Sequence, residues 1–200
     1  MSPIIRVATP GDAAGIAAVY APSVLENSTS FELVVPSPEE FASRIASVLA
    51  KCPWLVCESA GEVIGYAYAF LHRDRAAYRW SVDVTAYVSE QAHRRGVGTA
   101  LYTSLFEILG LQGYRNAYAG ITLPNAASEG MHRRAGFTQV GVYHHVGYKF
   151  GAWHDVAWFE RAILPAERDP REPVPFPEIF DSPPVASALA KGQALIRRIL

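Results

Sequence analysis

The amino-acid sequence predicts a domain of the α+β class, arranged as three α/β layers, in which helices flank a mixed and mostly antiparallel central sheet. Two observations carry this prediction. Strand-like and helix-like segments follow one another in the order strand, two helices, several strands, helix, strand, helix, strands. Half of the 200 residues are apolar, which is enough to fill the core of one such domain.

The predicted helices begin at recognisable caps. Thr9 and Asp12 form a capping box ahead of the first helix. Ser37 is followed by Pro38 in the first turn and by a glutamate three residues after the cap, which is typical of a helix start. Gly136 is expected to be the C-cap of the last of them, the helix over residues 125–134. In chain order, helices are predicted over residues 13–24, from residue 37, and over residues 99–111 and 125–134.

The predicted strands are segments in which β-branched and aromatic residues alternate or run together between turn residues. Ala60-Gly61 is the expected turn of an antiparallel hairpin. A second turn is expected between residues 143 and 148, joining the last two strands. In chain order, strands are predicted over residues 4–8, 54–58, 63–71, 80–88, 117–121, 137–143 and 148–160.

A basic, glycine-rich turn lies between a predicted strand and the helix that begins at Thr99. Gly96 and Gly98 let the backbone turn tightly and approach a ligand closely. The N–H groups at the helix start attract an anion, and Arg94 and Arg95 add positive charge beside them. The turn therefore predicts a phosphate site, with a basic loop that merely caps the helix as the alternative.

Composition argues against several classes of function. A net charge of −1, without a broad basic face, argues against a nucleic-acid partner. No apolar run is long enough to span a membrane and no signal peptide is visible, so we expect a cytoplasmic protein without a membrane partner. Cys52 and Cys57 lack metal-ligand spacing, and no metal is expected. They are most simply reduced packing residues, with a disulfide between them as the alternative.

The composition changes after residue 164. Residues 165–184 are rich in proline and are not expected to form a central strand or a long helix. Residues 185–200 regain helical character. We therefore expect a domain over residues 1–164 and a C-terminal extension over residues 165–200, whose helix either packs loosely or docks on the domain or on a second subunit. The apolar stripe of that helix would consist of Leu189, Ile196 and Ile199.

Further motifs surround the glycine-rich turn. They are Thr29-Ser30-Phe31-Glu32, Pro53-Trp54-Leu55-Val56, Gly65-Tyr66-Ala67-Tyr68-Ala69, residues 75–80, residues 123–128, residues 132–137 and residues 146–156. Together with the turn, these motifs resemble the GCN5-related N-acetyltransferases (GNAT superfamily). More narrowly, they resemble the branch of phosphinothricin and methionine sulfoximine acetyltransferases. The resemblance covers residues 4–164.

This resemblance implies a V-shaped splay between the strands over residues 80–88 and 117–121, with acetyl-CoA bound in the splay as co-substrate. It also implies a homodimer. Asn125 is implied to anchor the pantetheine arm, with capping of the following helix as an alternative or additional role. The implied acetyl-CoA-binding residues are Tyr87, Val88, Arg94, Arg95, Gly96, Val97, Gly98, Thr99, Asn125 and Ser128.

An amine must lose its proton before it attacks a thioester, so the site needs a route for that proton. Asp83 lies in mid-strand among apolar neighbours, where an acid is costly, and we expect it to be the general base. It stands where the family has the longer glutamate, which favours a proton transfer relayed by water. The alternative is a structural acid paired with Arg75 or Arg79.

The remaining site residues follow from position. His132 stands where many relatives have a tyrosine that protonates the leaving thiolate, and it is expected to do the same or to share the base role, with a structural histidine as the alternative. The backbone N–H of Val88 is the candidate donor to the thioester oxygen. The candidates for acceptor binding, each with a packing role as its alternative, are Phe31, Arg75, Tyr78 and Arg79.

We therefore expect an acetyl-CoA-dependent N-acetyltransferase that acts on a small amino-acid-like amine of the phosphinothricin or methionine sulfoximine type. Polyamines or protein N-termini are alternative acceptors. An acyl-CoA-binding sensor without turnover is an alternative of another class, since His93 stands where the loop usually has Gln or Arg and Asp83 replaces a glutamate. A third possibility is that the C-terminal segment makes the chain mainly an assembly partner.

Overall fold

The structure is a computed structural model that describes residues 3–197. Its strands are β1 (Ile4–Val7), β2 (Trp54–Ser59), β3 (Glu62–Leu71), β4 (Ser81–Val88), β5 (Asn116–Thr122), β6 (Thr138–Lys149) and β7 (Ala152–Ala162). Its α-helices are α1 (Ala13–Leu25), α2 (Pro38–Leu49), α3 (Val97–Gln112), α4 (Ala126–Arg134), α5 (Phe176–Ile179) and α6 (Pro183–Gln193). None of the helices in this described part of the chain has the length and apolarity needed to cross a membrane.

The seven strands form one sheet in the order β1-β2-β3-β4-β5-β7-β6. Every neighbouring pair is antiparallel except β4 and β5, which are parallel. Helix α3 connects these two strands, as a parallel connection requires. The predicted mixed, mostly antiparallel sheet flanked by helices is confirmed.

Strands β4 and β5 pair over only three rungs before they separate. The pairs are Ser81 with Asn116, Val82 with Ala117, and Asp83 with Tyr118. Beyond Asp83, β4 continues beside β3 while β5 continues beside β7. The strands thus open into the V-shaped splay that the resemblance implied, and Asp83 lies on the last rung before the opening.

Both faces of the sheet are covered. Helices α1 and α2 pack on one face, around buried aromatic side chains such as Trp54 and Tyr66. Helix α3 packs on the other face through Leu101, Leu105 and Leu109, which recur every four residues and are fully buried. Each such leucine stabilises the fold by about 2 kcal/mol through the apolar surface that it removes from water.

The predicted turn between residues 143 and 148 is wrong. Strand β6 continues to Lys149, and the turn lies at Phe150 and Gly151, both of which have a positive φ. The segment between Tyr143 and Gly147 is instead a bulge in the pairing with β7. The carboxylate of Asp155 accepts the backbone N–H of His145 at 2.8 Å, so the bulge keeps its hydrogen bonding without ending the strand.

The C-terminal segment packs on the domain rather than hanging loosely. Helix α6 lies along α3, where the hydroxyl of Ser104 donates to the carbonyl of Ala188 at 2.9 Å. Val185 and Ala188 are buried, and Leu189 and Ile196 of the predicted stripe pack against the same core. The helix ends at Gln193, earlier than predicted, and Ile199 of the stripe lies outside the described residues.

Candidate active site

A cavity of about 460 Å³ occupies the opening between β4 and β5. Residues of both strands line it, and the start of α4 and one face of α1 close it. Several residues predicted to bind acetyl-CoA or to act in catalysis lie along it, namely Tyr87, Val88, Asn125, Ser128 and His132. The predicted strand splay is therefore a real cleft, and these side chains converge on it.

The edge of β4 that faces the cleft carries backbone groups without a strand partner. His72 N–H bonds the carbonyl of Ser81, and Ser89 N–H bonds the carbonyl of Ile64, so the odd-numbered residues of β4 direct their backbone groups toward β3. Because the pattern alternates in an antiparallel pair, even-numbered residues direct theirs toward the gap. In the opening these are Val84, Ala86 and Val88, all of which line the cavity.

The glycine-rich turn lies at the N-terminus of α3. The first helical hydrogen bond joins the N–H of Ala100 to the carbonyl of Gly96, so the preceding N–H groups have no partner within the helix. Gly96 has a φ of +85°, and a Cβ there would lie 2.9 Å from the carbonyl oxygen of Leu195. The predicted anion site is thus a helix start in which glycine is required both by backbone geometry and by contact with the C-terminal segment.

His93 and Asn125 connect the lining of the cleft to the segments that follow β4 and β5. Nε2 of His93 bonds the carbonyl of Val88 at 3.0 Å, which ties the start of the basic turn to the end of β4. Asn125 is the N-cap of α4, where its side-chain oxygen accepts the N–H of Ser128 at 3.0 Å. The capping role that the sequence left open for Asn125 is therefore present, and the same residue also lines the cleft.

The side chain of His132, on α4, is buried against Tyr102 of α3. Its Nδ1 lies 2.8 Å from the carbonyl oxygen of Ser128, which only accepts, so Nδ1 carries the proton. Its Nε2 therefore accepts the hydroxyl of Tyr102, at 3.0 Å. Burial lowers the pKa of His132 and favours the neutral ring. In this state Nε2 has no proton to give to a thiolate. Tyr102, whose hydroxyl it accepts, also lines the cleft.

The acid at the closed end of the splay has a histidine partner. The Oδ1 atom of Asp83 accepts Nδ1–H of His72 at 2.7 Å, and both side chains are largely buried. Burial raises the pKa of Asp83, and the hydrogen bond from His72 offsets part of that rise. The alternative in which Asp83 pairs with Arg75 or Arg79 is wrong, because the residue within hydrogen-bond reach is His72.

Aromatic rings enclose this histidine. His72 stacks on Tyr118 with ring centroids 4.5 Å apart, and it meets the edges of Tyr78 and Trp158 at 6.0 and 6.4 Å. Among residues 3–197, the buried indole N–H of Trp158 has no hydrogen-bond partner. Tyr78, predicted to bind the acceptor, is thus beside the Asp83–His72 pair, and an unsatisfied donor lies nearby.

The other predicted acceptor residues lie at different places. Arg75 is exposed in the loop between β3 and β4, and Arg79 is bonded to Glu172 of the C-terminal segment. Phe31 lies against Gly147 of β6. The loop that carries Phe31 is held by Nζ of Lys149, which donates to the carbonyl of Ser30 at 2.7 Å. The structure therefore places Tyr78 beside His72, the partner of Asp83, and it places Arg79 in contact with the C-terminal segment.

Sequence reasoning missed His72 and Tyr102. A signal for His72 existed, because counting the hairpin register pairs Phe70 with Asp83 and so places His72 diagonally beside Asp83 on the same face. No comparable signal existed for Tyr102, whose partner His132 is 30 residues away on another helix.

Cys52 and Cys57 are buried and unbonded to each other. No group of three metal-ligating side chains occurs within residues 3–197.

The splayed sheet, its unpaired strand edge and the glycine-rich helix start are the features that the predicted acetyltransferase requires. The chain belongs to the GNAT family, since the acetyltransferase (GNAT) domain matches residues 5–158. The resemblance inferred from the motifs is thereby confirmed.

Relatives of known name lie in the predicted branch. The chain is 37% identical over 171 residues to phosphinothricin N-acetyltransferase of Streptomyces viridochromogenes, covering 85% of this chain and 93% of that protein. It is 34% identical over 175 residues to an L-methionine sulfoximine/L-methionine sulfone acetyltransferase of Pseudomonas aeruginosa, covering 85% and 100%. The crystal structure of a phosphinothricin acetyltransferase from Sinorhizobium meliloti in complex with AcCoA matches with a TM-score of 0.79 and 31% identity, covering 88% and 99%.

Proposed function

We propose that this acetyltransferase transfers the acetyl group of acetyl-CoA to the amino group of a small amino-acid-like substrate of the phosphinothricin or methionine sulfoximine type, in the cytoplasm. One observation carries the proposal. The cleft whose strand edge offers free backbone groups closes at Asp83, so a thioester in the cleft and an amine beside this acid would meet at one point. The relatives named above support the same acceptor class.

The cleft suits acetyl-CoA. Backbone groups of Val84, Ala86 and Val88 match an extended chain with two amides, which would pair with β4 in place of β5. The N–H of Val88 would then donate to the thioester oxygen as negative charge develops there. The pyrophosphate would bind at the start of α3, through N–H groups and basic side chains of the turn. The residues proposed to bind it are Arg94, Arg95, Gly96, Val97, Gly98 and Thr99.

The acceptor would bind on the face that carries Asp83. Tyr78 lines this region, and the indole N–H of Trp158 is a buried donor that a polar substrate would satisfy. Arg75, at the exposed rim, would pair with the acceptor carboxylate. Phe31 would close the pocket from the loop that Lys149 holds. Because Arg79 already bonds Glu172, it would have to leave that partner to join the site.

The proposal is tested by measuring CoA release with phosphinothricin, methionine sulfoximine, methionine sulfone, polyamines and short peptides as acceptors. We expect turnover with the three amino-acid analogues and at least 100-fold lower kcat/KM with the other amines. Turnover confined to polyamines or peptides would assign another acceptor. Binding of acetyl-CoA without turnover on any amine would instead indicate a sensor.

Replacing Gly96 by valine tests the phosphate turn. Valine at a φ of +85° is strained, and its Cβ would also overlap the carbonyl of Leu195. We expect a loss of about 2 kcal/mol in stability from the strain and at least a 30-fold weaker Kd for acetyl-CoA from displacement of the turn, measured by isothermal titration calorimetry.

Gly61→Val is the matched control, because Gly61 also has a positive φ, of +86°, but has nothing within 4 Å of its Cβ position. It should lose stability and keep its affinity for acetyl-CoA. Equal loss of affinity in both variants would contradict a specific role of the turn.

We further propose that the enzyme is a homodimer. The β6–β7 hairpin carries large apolar side chains that are about 60% exposed, namely Tyr148, Phe150 and Trp153. A patch of this kind is typical of a protein interface. We expect Trp153→Glu to halve the mass measured by light scattering without changing the far-UV circular dichroism. Leu33→Glu, at an even more exposed apolar side chain outside the hairpin, is the control and should keep the dimer. A wild-type protein of one-chain mass would contradict the dimer.

A further inference from the structure

We propose that His72 is the general base that takes the proton from the acceptor amine, and that Asp83 is its positioning partner. This inference rests on the proposed N-acetyltransferase function and names the group that removes the proton. It replaces the water relay that the short side chain of Asp83 suggested.

The hydrogen bond between the two side chains fixes their roles. A carboxylate only accepts, so His72 donates from Nδ1 to Oδ1 of Asp83, at 2.7 Å. The neutral ring then carries its lone pair on Nε2, on the far side of the ring from Asp83. Within residues 3–197, Nε2 has no hydrogen-bond partner. The basic atom is thus displaced from the strand by the width of an imidazole, which compensates for the methylene that Asp83 lacks relative to glutamate.

The ring is held in place at the closed end of the cleft. Asp83 and Tyr118 form the last rung between β4 and β5, and the ring of His72 stacks on Tyr118 beside that rung. The next residues on the same face of the two strands, Thr85 and Gly120, line the cavity. A base at this position is adjacent to the point where a thioester lying along β4 would end.

The arrangement provides what a base requires. The carboxylate of Asp83 holds one orientation of the ring and stabilises the imidazolium that forms when Nε2 gains a proton. The side chain of His72 is 14% exposed, so the proton can pass on to solvent. The charged and titratable groups around the ring are Asp83 from β4, Tyr118 from β5, Tyr78 from the loop before β4, and Arg73, which acts on Asp83 through its charge.

The ammonium of the acceptor gives one proton to Nε2 of His72, and the freed lone pair forms the C–N bond with the thioester carbonyl carbon. The C–S bond breaks as the tetrahedral intermediate collapses. The second proton on the attacking nitrogen goes to the leaving sulfur, giving the amide and the CoA thiol. His72 then releases its proton to solvent and returns to the neutral state.

The test compares His72→Gln with the wild type on an acceptor that the wild type acetylates. Glutamine keeps a polar amide beside Asp83 but is not a base. We expect kcat to fall at least 100-fold, the acid limb of the pH profile of kcat/KM to disappear, and the Kd for acetyl-CoA to stay within two-fold. Activity of His72→Ala should be partly restored by added imidazole, which supplies the missing base.

His144→Gln is the matched control. His144 also donates to an aspartate, Asp155, at 2.8 Å, but its side chain is 70% exposed on β6. It should keep kcat within two-fold.

Three results would overturn the proposal. They are a His72→Gln enzyme with kcat within three-fold of the wild type, an unchanged acid limb in that variant, and a loss of activity in His72→Ala that imidazole does not relieve. A wild type that acetylates no amine would instead contradict the proposed function, so the two failures are distinguishable.

Discussion

Asp83→Asn is expected to lower kcat for the amino-acid acceptor by about 100- to 10,000-fold, the usual contribution of positioned proton transfer. The amide keeps the shape of the carboxylate but cannot stabilise an imidazolium on His72, nor can it act as a base itself. The Kd for acetyl-CoA should stay within about two-fold, because the cleft is lined by β4 beyond this residue. Steady-state kinetics and calorimetry on the same preparation measure both quantities.

The rate should also depend on pH in a defined direction, with a loss of kcat/KM at low pH. Burial raises the pKa of Asp83. As the pH is lowered, Asp83 therefore becomes protonated earlier, at a higher pH, than an exposed aspartate does. The wild type should therefore lose kcat/KM on the acid side. In Asp83→Asn the carboxylate no longer contributes to this limb, but the proposed base His72 is still present, so the limb should change in shape rather than disappear.

Asp155→Asn is the control for this replacement, since Asp155 also pairs with a histidine but lies away from the cleft, on β7. It should keep its rate. Full activity in Asp83→Asn would show that the carboxylate of Asp83 is not needed for the proton transfer.

The sequence predicted those features that short stretches of chain determine. The caps at Thr9 and Ser37 and the glycine at residue 136 set helix ends through contacts a few residues apart, and the structure has these helices. Alternating apolar residues likewise placed the strands. Asp83 was found as a site candidate because an acid among apolar residues is visible without any knowledge of its partner.

Features that depend on distant contacts were not predictable in this way. The partner of Asp83 required the hairpin register, and the partner of His132 required the packing of α4 on α3. The turn at Phe150 and Gly151 was missed because the bulge before Gly147 interrupts the alternation, while the hydrogen bond that keeps the strand intact comes from Asp155 on the opposite strand.

The contact between the C-terminal segment and the glycine-rich turn is another long-range example. The N–H of Arg197 donates to the carbonyl of Arg95 at 3.0 Å, and Leu195 packs against Gly96. Nothing in the proline-rich composition of residues 165–184 indicates where the following helix lies. The structure therefore makes the C-terminal segment a support for the proposed pyrophosphate site.

Gly192→Leu is expected to detach this support. A Cβ on Gly192 would overlap the hydroxyl of Ser104 and the carbonyl of Ala100, so α6 cannot remain seated on α3. Displacing it exposes Val185 and Ala188 and breaks the hydrogen bond from Ser104. We expect a loss of about 3 kcal/mol, a Tm lower by about 10 °C, and a Kd for acetyl-CoA at least ten-fold weaker, since the turn loses its contacts with Leu195 and Arg197.

Ala186→Leu separates this effect from a general effect of added bulk on the helix. Ala186 is exposed on the same helix, so a leucine there meets solvent and should leave both the Tm and the affinity unchanged. A Gly192→Leu protein with a lower Tm but unaltered affinity would show that α6 stabilises the fold without supporting the turn. The two variants place the added leucine on different sides of α6. If only Gly192→Leu binds acetyl-CoA more weakly, the C-terminal segment is therefore a structural part of the acetyl-CoA site.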